Sequence, residues 1–495
     1  MLGDYRQTSF SEYARIYDIL IPRDNIFRRI KEEIDFSFVR EELKGKYSEV
    51  MGRAAEDPVR MFKYLLLKAM HPASDVDLVK RAYTDMSYKY FLGLNPEDDV
   101  IDPSLLSKFR RQRLQDADLL NLLISKSVAM AMAKGVIKRR SDIIVDATHE
   151  FSGAYVYKPI EYMRKMYKQV LKACEPFFGE SFQRDGFPAF PKDGKVGDFK
   201  EFSRSLVRYL EDSGMAQIPA VGIKVNLFKE GLDDLDMQTY VSLDRDAKFG
   251  SKGPGKSFFG YKAHIGMTPE HIVVAAAVTS GEVPDGDFLV PLVEQARQNG
   301  LEVESAIGDA AYASKENLDA LKEEVKVVAP VNPVITHGNR RGDSAGFHYN
   351  KDADTYVCPA GEPAKSVEYR KARKKEVGTD GKTIQSYRNP SMRYYFDVRK
   401  CRECPLREGC YKGGKTKSYS VTIISDTHRE QIEFEKTAEF KEKMRQRKRI
   451  EPLNAHLKND LAMKKNISNG IESMTIQTAV AIYMSNIQKI MKFKG

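Results

Sequence analysis

No apolar run in the 495 residues approaches the 18 or so that a membrane-spanning helix needs. The first residues, M-L-G-D-Y-R-Q-T-S-F, lack the apolar centre of a secretory signal. Cysteine is scarce: of five in the chain, Cys174 stands alone and the other four fall late, at Cys358, Cys401, Cys404 and Cys410. Together these absences exclude a helical membrane protein and a disulfide-built secreted scaffold, and a cytoplasmic protein with no membrane partner is expected. What is abundant is positive charge. Lys plus Arg number 80 against 70 Asp plus Glu, a formal net charge of +10. That balance suits a polyanionic partner, although a solvated basic surface would produce it too. The length calls for several domains.

The first 137 residues read as helical. Pro58–Met70 has apolar residues at helical spacing with Pro in the first turn, Asp75 to Met86 gives a second helix, and Asp102-Pro103-Ser104 opens a third. That third helix carries Lys108, Arg110, Arg111 and Arg113, a face that either docks on DNA or is merely solvated. A fourth helix runs from about Asp116 to Lys134, with Gly135 as its C-cap.

The next stretch, S-D-I-I-V-D-A-T-H-E from Ser141 to Glu150, carries the most information. Ile143, Ile144 and Val145 are the composition of a strand buried on both faces, and Asp146 follows at its expected end. A carboxylate there is costly unless it is paired or holds a metal, though a lone Asp can also cap a turn. After helical segments at Tyr157 to Glu175 and Asp198 to Asp212, and a short strand near Tyr240 to Leu243, a hairpin is expected from Gly260–Met267 and His271–Thr279. His264 within it reads as a core histidine. A helix over Phe288 to Gln298, a strand over Val303 to Gly308, a helix capped by Ser314 and a strand over Val325 to Ala329 complete the pattern. Asp309 follows its strand directly. An antiparallel meander followed by helix-linked parallel strands is an α/β arrangement with a mixed sheet. If the first and fourth strands are parallel neighbours, Asp146 and Asp309 leave the same edge.

Residues 331–427 are loop-rich and basic. The run Arg370-Lys371-Ala372-Arg373-Lys374-Lys375 lies between Tyr369 and Tyr387, as in a nucleic-acid groove or on a solvated face. The C-x-x-C pair of Cys401 and Cys404, with Cys358 and Cys410, matches a closed structural zinc site; free thiols and an iron–sulfur cluster are the alternatives. Helices resume near Thr427. In M-R-Q-R-K-R-I-E-P-L-N-A-H-L-K, residues Arg447, Glu451 and Lys458 share one helical face. Pro452 requires either a kink or a helix that starts near Glu451.

These motifs resemble those of bacterial insertion-sequence transposases with an RNase H-like core and an Asp-Asp-Glu triad. Residues 58–114 resemble the family's helical N-terminal domain; Asp146-Ala147-Thr148 matches the first-Asp motif and Asp309-Ala310-Ala311-Tyr312 the second. Asp244-Arg245-Asp246-Ala247 and Gly260-Tyr261-Lys262 match segments around the second strand. The Tyr-Arg-Glu-Lys signature falls on Met444, Arg447, Glu451 and Lys458, so the Tyr is replaced. The resemblance implies a helical DNA-binding domain at 1–137, an RNase H-like core at 138–330 with an insertion at about 155–240, a basic Cys-rich insertion at 331–427, and core helices carrying Glu451 at 428–495. It implies two Mg²⁺ or Mn²⁺ ions on Asp146, Asp309 and Glu451, with Asp146 bridging them, cleavage at element ends and transfer of the 3′-hydroxyl to target DNA. Arg447, Lys458, Arg110, Arg111, Arg370, Lys371, Arg373, Lys374 and Lys375 are then the expected DNA contacts. A structural Zn²⁺ is expected on the four late cysteines. The partners are the terminal inverted repeats and target DNA, bound by a homodimer associated with the nucleoid. A nuclease on the same fold, or a DNA-binding protein that has lost its chemistry, is the alternative.

Overall fold

The computed structural model of the protein describes residues 11–48, 54–115, 117–178, 187–191, 193–253, 256–333, 335, 346–350, 353–371 and 390–493. They form two compact units. One comprises residues 1–153, 246–369 and 391–495, and the other residues 154–245 with 370–390.

The larger unit is built on a mixed sheet. Its strands are β1 (Arg140–Phe151), β2 (Lys248–Gly253), β3 (Lys256–Met267), β4 (Val273–Ser280), β5 (Glu302–Ile307) and β6 (Lys326–Val328). In space β3 lies beside β1, with β2 and β4 sharing its outer edge, while β5 and β6 follow on the other side of β1. The pairs β1–β3 and β3–β4 are antiparallel; β1–β5 and β5–β6 are parallel. β1 is therefore central, and Ile143, Ile144 and Val145 are fully buried, each contributing about 2 kcal/mol of hydrophobic stabilisation.

Helices α1 (Pro58–Met70), α2 (Asp75–Thr84), α3 (Ser104–Arg113) and α4 (Leu119–Ala133) precede the sheet. Their boundaries are local chemistry. The Asp57 side chain accepts from the Val59 amide ahead of Pro58, and Gly135 takes φ of 72° just past α4. A break at Asp85 divides the expected Asp75 to Met86 helix, and Met86–Leu92 forms a separate short one that Asp85 caps. The C-terminal helix, apolar on nearly all sides, packs against α1, α4 and β4, so one hydrophobic core runs from Phe27 to Met491. Asn486 on that helix is fully buried. Its amide bonds both the N–H and the C=O of Val273 and also the Ser127 hydroxyl.

In the second unit α5 (Pro159–Phe178), α6 (Val196–Asp212) and α7 (Pro219–Met237) pack on one another around Val170, Cys174, Leu206 and Phe228. Val156–Tyr157 pairs with Val241–Ser242, the short strand expected there.

Helices α8 (Leu289–Gln298) and α9 (Lys315–Leu321) connect β4 to β5 and β5 to β6, with Ser314 capping α9 as expected. The region expected to be loop-rich contains the β7–β8 ladder (His348–Asn350 with Thr355–Val357) and a three-stranded sheet of β9 (Ser366–Arg370), β10 (Ser391–Phe396) and β11 (Lys417–Thr422). Phe347, Tyr394 and Phe396 form its small core. Then come α10 (Asp426–Glu435), α11 (Ala438–Gln446), α12 (Ile450–Asn459) and α13 (Ile471–Lys492). Among the described residues no helix is long and apolar enough to cross a membrane.

Candidate active site

Asp146 does not end its strand as expected: β1 continues five residues to Phe151, because β3 keeps pairing it on one side, with Asp146 opposite Ile265. On the other side β5 stops. Its last pair is Ile307 with Ile144, and Gly308 turns away with its amide donating to Val328 at 3.1 Å. Asp309 is two residues past Ile307, just as Asp146 is two past Ile144, so the parallel pairing brings both aspartates to one sheet edge with the same strand phase. Gly308 is required by space. A Cβ there would lie 2.5 Å from the Tyr312 ring and 2.9 Å from Val145 Cγ2. The Asp309 carboxylate closes its own turn by accepting from the Ala311 amide at 2.9 Å.

The electrostatics are unfavourable without a cation. Burial raises the Asp146 carboxyl to about 6; Arg447 opposes this, while Asp309 and Asp285 add to it. Asn454 Nδ2 donates to Asp146 Oδ2 at 3.0 Å, and Arg447 lies 4.0 Å from Asp309 Oδ2. Asp285 has no counterpart among the residues singled out from sequence. Its turn is pressed against the Asp309 loop, since a Cβ on Gly286 would meet the Ala311 carbonyl at 2.4 Å. Lys262 holds Asp285 at 2.7 Å and also donates to Val283 O at 2.9 Å. The Gly-Tyr-Lys segment thus positions a carboxylate that periodicity could not reveal.

α12 starts at Ile450 after a 3₁₀ turn over Arg447–Arg449, which places Pro452 in its first turn and removes any need for a kink. Residues 447, 451, 454 and 458 form one stripe at helical spacing. Arg447 reaches Asp309, Asn454 reaches Asp146, and the charge of Lys458 bears on Glu150. Glu451, in the middle of the stripe, is exposed and makes no hydrogen bond or ion pair among the described residues. Nor is there, among those residues, any group of three or more His, Cys, Asp or Glu side chains arranged to hold a metal ion. The two aspartates are brought together, and Glu451 stands apart on the neighbouring helix.

His264 is a core residue: it stacks on Phe288 at 4.1 Å, its Nε2 is 2.9 Å from the Thr279 hydroxyl, and burial lowers its pKa to about 4. Arg110 is drawn inward, with its guanidinium bonding both Asp75 oxygens at 3.2 and 2.6 Å. Arg111, one residue on, is exposed. Arg370 ends β9, and Lys371 follows it, exposed; Arg373, Lys374 and Lys375 lie outside the described residues. Cys358, Cys401, Cys404 and Cys410 line one cavity of about 310 Å³ with Phe347, Phe396, Tyr411 and Lys417, although their sulfurs do not form a ready-made ligand set. Cys174 is buried in the helical core of the other unit.

The family model described as "Transposase domain (DUF772)" matches residues 15–112, and the one described as "Transposase DDE domain" matches residues 232–487. No curated protein and no solved structure matches the chain. The second match spans more than half of the 495 residues and takes in Asp309, Arg447, Glu451 and the helices that seat them. It makes the chain a transposition enzyme acting on DNA, a member of the DDE transposases of insertion sequences.

Proposed function

We propose that the protein cuts DNA at the ends of its insertion sequence and joins the freed 3′-hydroxyl to target DNA, using divalent metal held by Asp146, Asp309 and Glu451. The observation that carries this reading is the pair of aspartates on adjacent parallel strands at one sheet edge. The strand order, with three antiparallel strands followed by two parallel ones, agrees with the RNase H-like core that this reading requires. The donor set is all oxygen, which suits Mg²⁺ or Mn²⁺. A half-buried Asp146 flanked by Asp309 and Asp285 is an arrangement that a cation stabilises. When bound, two such ions activate the attacking oxygen and neutralise the leaving one.

The chain's own residues then have distinct tasks. Asp146 and Asp309 bind in their ionised forms, and Asn454 fixes one oxygen of Asp146. Arg447 partly neutralises the aspartates in the metal-free protein and is placed to meet a phosphate at the same edge. Glu451, exposed between Arg447 and Asn454, is free to complete the metal set. Arg111, Arg370 and Lys371 are proposed contacts to the DNA backbone, which supplies most of the affinity. The segment 1–137 serves end binding, residues 155–240 and 331–427 are insertions into the core, and the active form is a homodimer on DNA. A structural Zn²⁺ on Cys358, Cys401, Cys404 and Cys410 is part of the same proposal; it rests on the C-x-x-C spacing and on the four cysteines lining one cavity, and it requires their thiols to close around the ion.

The test uses the DNA flanking the protein's own coding sequence. With Mg²⁺ the protein should cut and join those ends. Asp146→Asn and Asp309→Asn should do neither while still binding the ends. Strand transfer retained by Asp146→Asn would overturn the mechanism, and cleavage without joining would leave a nuclease. Elemental analysis of reduced protein purified without added metal should find one zinc per chain; none would remove the zinc site.

A further inference from the structure

Glu150 is the last side chain of β1 on the face that carries Asp146, since Asp146, Thr148 and Glu150 alternate with residues facing the other way. It is fully buried, and among the described residues neither carboxyl oxygen has a well-formed hydrogen bond. Few positions are less hospitable to a carboxylate. Burial raises its pKa well above the usual carboxylate range; the charge of Lys458 opposes this, and the Ala263 amide does so to a lesser extent.

The charge of Lys458, on α12 one turn beyond the Asn454 that bonds Asp146, bears on Glu150. Four residues along the strand are thus matched by four along the helix. Past α12 the chain continues along the same strand. The Phe151 amide donates to Lys464 O at 3.1 Å, and the Asn466 amide donates to Phe151 O at 2.8 Å. The segment bearing Glu451 is therefore hydrogen-bonded to the strand bearing Asp146 at two levels, Asn454 on Asp146 and residues 464–466 on Phe151, and between them the charge of Lys458 bears on Glu150.

We propose that Glu150 and Lys458 are a positioning pair that seats α12 against β1 and so sets Glu451 relative to Asp146, and that Lys458 is spent on this pair instead of on a DNA phosphate. The proposal rests on the metal-site reading above, because what it positions is the third carboxylate of that site. A buried carboxylate that loses its counter-charge is strongly unfavourable, whereas removing both charges together is often nearly neutral. That asymmetry separates the pair from a phosphate contact. Removal of a phosphate-binding lysine weakens DNA binding whatever residue occupies position 150, and it lowers the salt dependence of binding by about one counterion.

The experiment compares Lys458→Met, Glu150→Gln and the double variant in the full chain. Three readouts are used: single-turnover cleavage in Mg²⁺, affinity for DNA ends across a salt series, and amide hydrogen exchange over residues 450–466. Lys458→Met should lose about tenfold or more in cleavage and exchange faster over 450–466, with end affinity and salt slope unchanged. Glu150→Gln/Lys458→Met should recover to within about threefold of the parent and regain its exchange protection. Weaker end binding and a shallower salt slope in both Lys458 variants, or a double variant no better than Lys458→Met, would overturn the proposal. If Lys458→Met fails to fold, the double variant decides: parental affinity and salt slope support the pair, and reduced ones refute it. Failure of the parent itself to cut DNA in Mg²⁺ would refute the metal-site reading, while the exchange and affinity measurements would still decide the pair.

Discussion

The Asp146 carboxylate should make the metal-free protein less stable than its neutral isostere, at a cost that can be worked from the structure. Burial holds this carboxyl at about 6 against an ordinary value of 3.8. The folded state binds that proton more tightly than the unfolded chain, so the stability it brings is complete below 3.8 and is lost as pH rises through 6. A gap of about two pH units corresponds to at most about 3 kcal/mol. Asp146→Asn cannot ionise, and its amide oxygen can still accept from Asn454. Arg447 loses one carboxylate neighbour and keeps the other, Asp309, at 4.0 Å. In chelator, the Asn variant should therefore melt at a higher temperature than the parent near pH 8, and the advantage should fall towards zero near pH 4. Scanning calorimetry at several pH values reads this directly; midpoints are the appropriate quantity, because a chain of two compact units need not unfold in one step. Adding Mg²⁺ near pH 8 should then stabilise the parent and leave the variant unchanged. An Asn variant less stable than the parent near pH 8, or an offset that does not change with pH, would refute the reasoning.

Three further outcomes are expected. Gly308→Ala forces a Cβ to within 2.5 Å of the Tyr312 ring and should cost about 1–3 kcal/mol, lowering both the melting temperature and cleavage by displacing Asp309; an unchanged melting temperature would show that the loop yields freely. Asn454→Asp places a second carboxylate 3.0 Å from Asp146 and should move the acidic limb of the cleavage pH profile upward, whereas an unmoved limb would mean that Asp146 does not control it. Arg110→Met removes one of two cations on half-buried Asp75, Lys68 remaining as the other, and should cost about 1.5 kcal/mol, while Arg111→Ala should leave the melting temperature alone and weaken DNA binding with a salt slope smaller by about one; the reverse pattern would exchange their roles.

The sequence alone was enough wherever the determinant is local. A run of three β-branched residues needs two neighbours to cover it, and Ile143, Ile144 and Val145 are buried in a central strand. Pro58, Ser314 and Gly135 mark helix ends because each meets a local demand of the backbone. The two Asp motifs were legible because each follows an apolar run. Other elements were hidden because their reason lies elsewhere in the chain. Helix α7 carries Gly222 and Gly231, poor helix formers, and Gly231 is there because a Cβ would strike the Tyr162 ring. The Gly-rich β2 is a strand because β3 offers it an edge. Asp146 lies inside its strand and not at its end because a strand's length is set by its partners, and here β3 outlasts β5. An arginine's charge does not say what it meets, so only packing could turn Arg110 to Asp75 and leave Arg111 exposed. The same holds for Asn454 on Asp146, separated by 308 positions, and for the charge of Lys458 acting on Glu150. Residue types and local spacing name the groups able to do the chemistry, but which groups face one another depends on contacts across hundreds of residues, and those are fixed only when the sheet and its covering helices close.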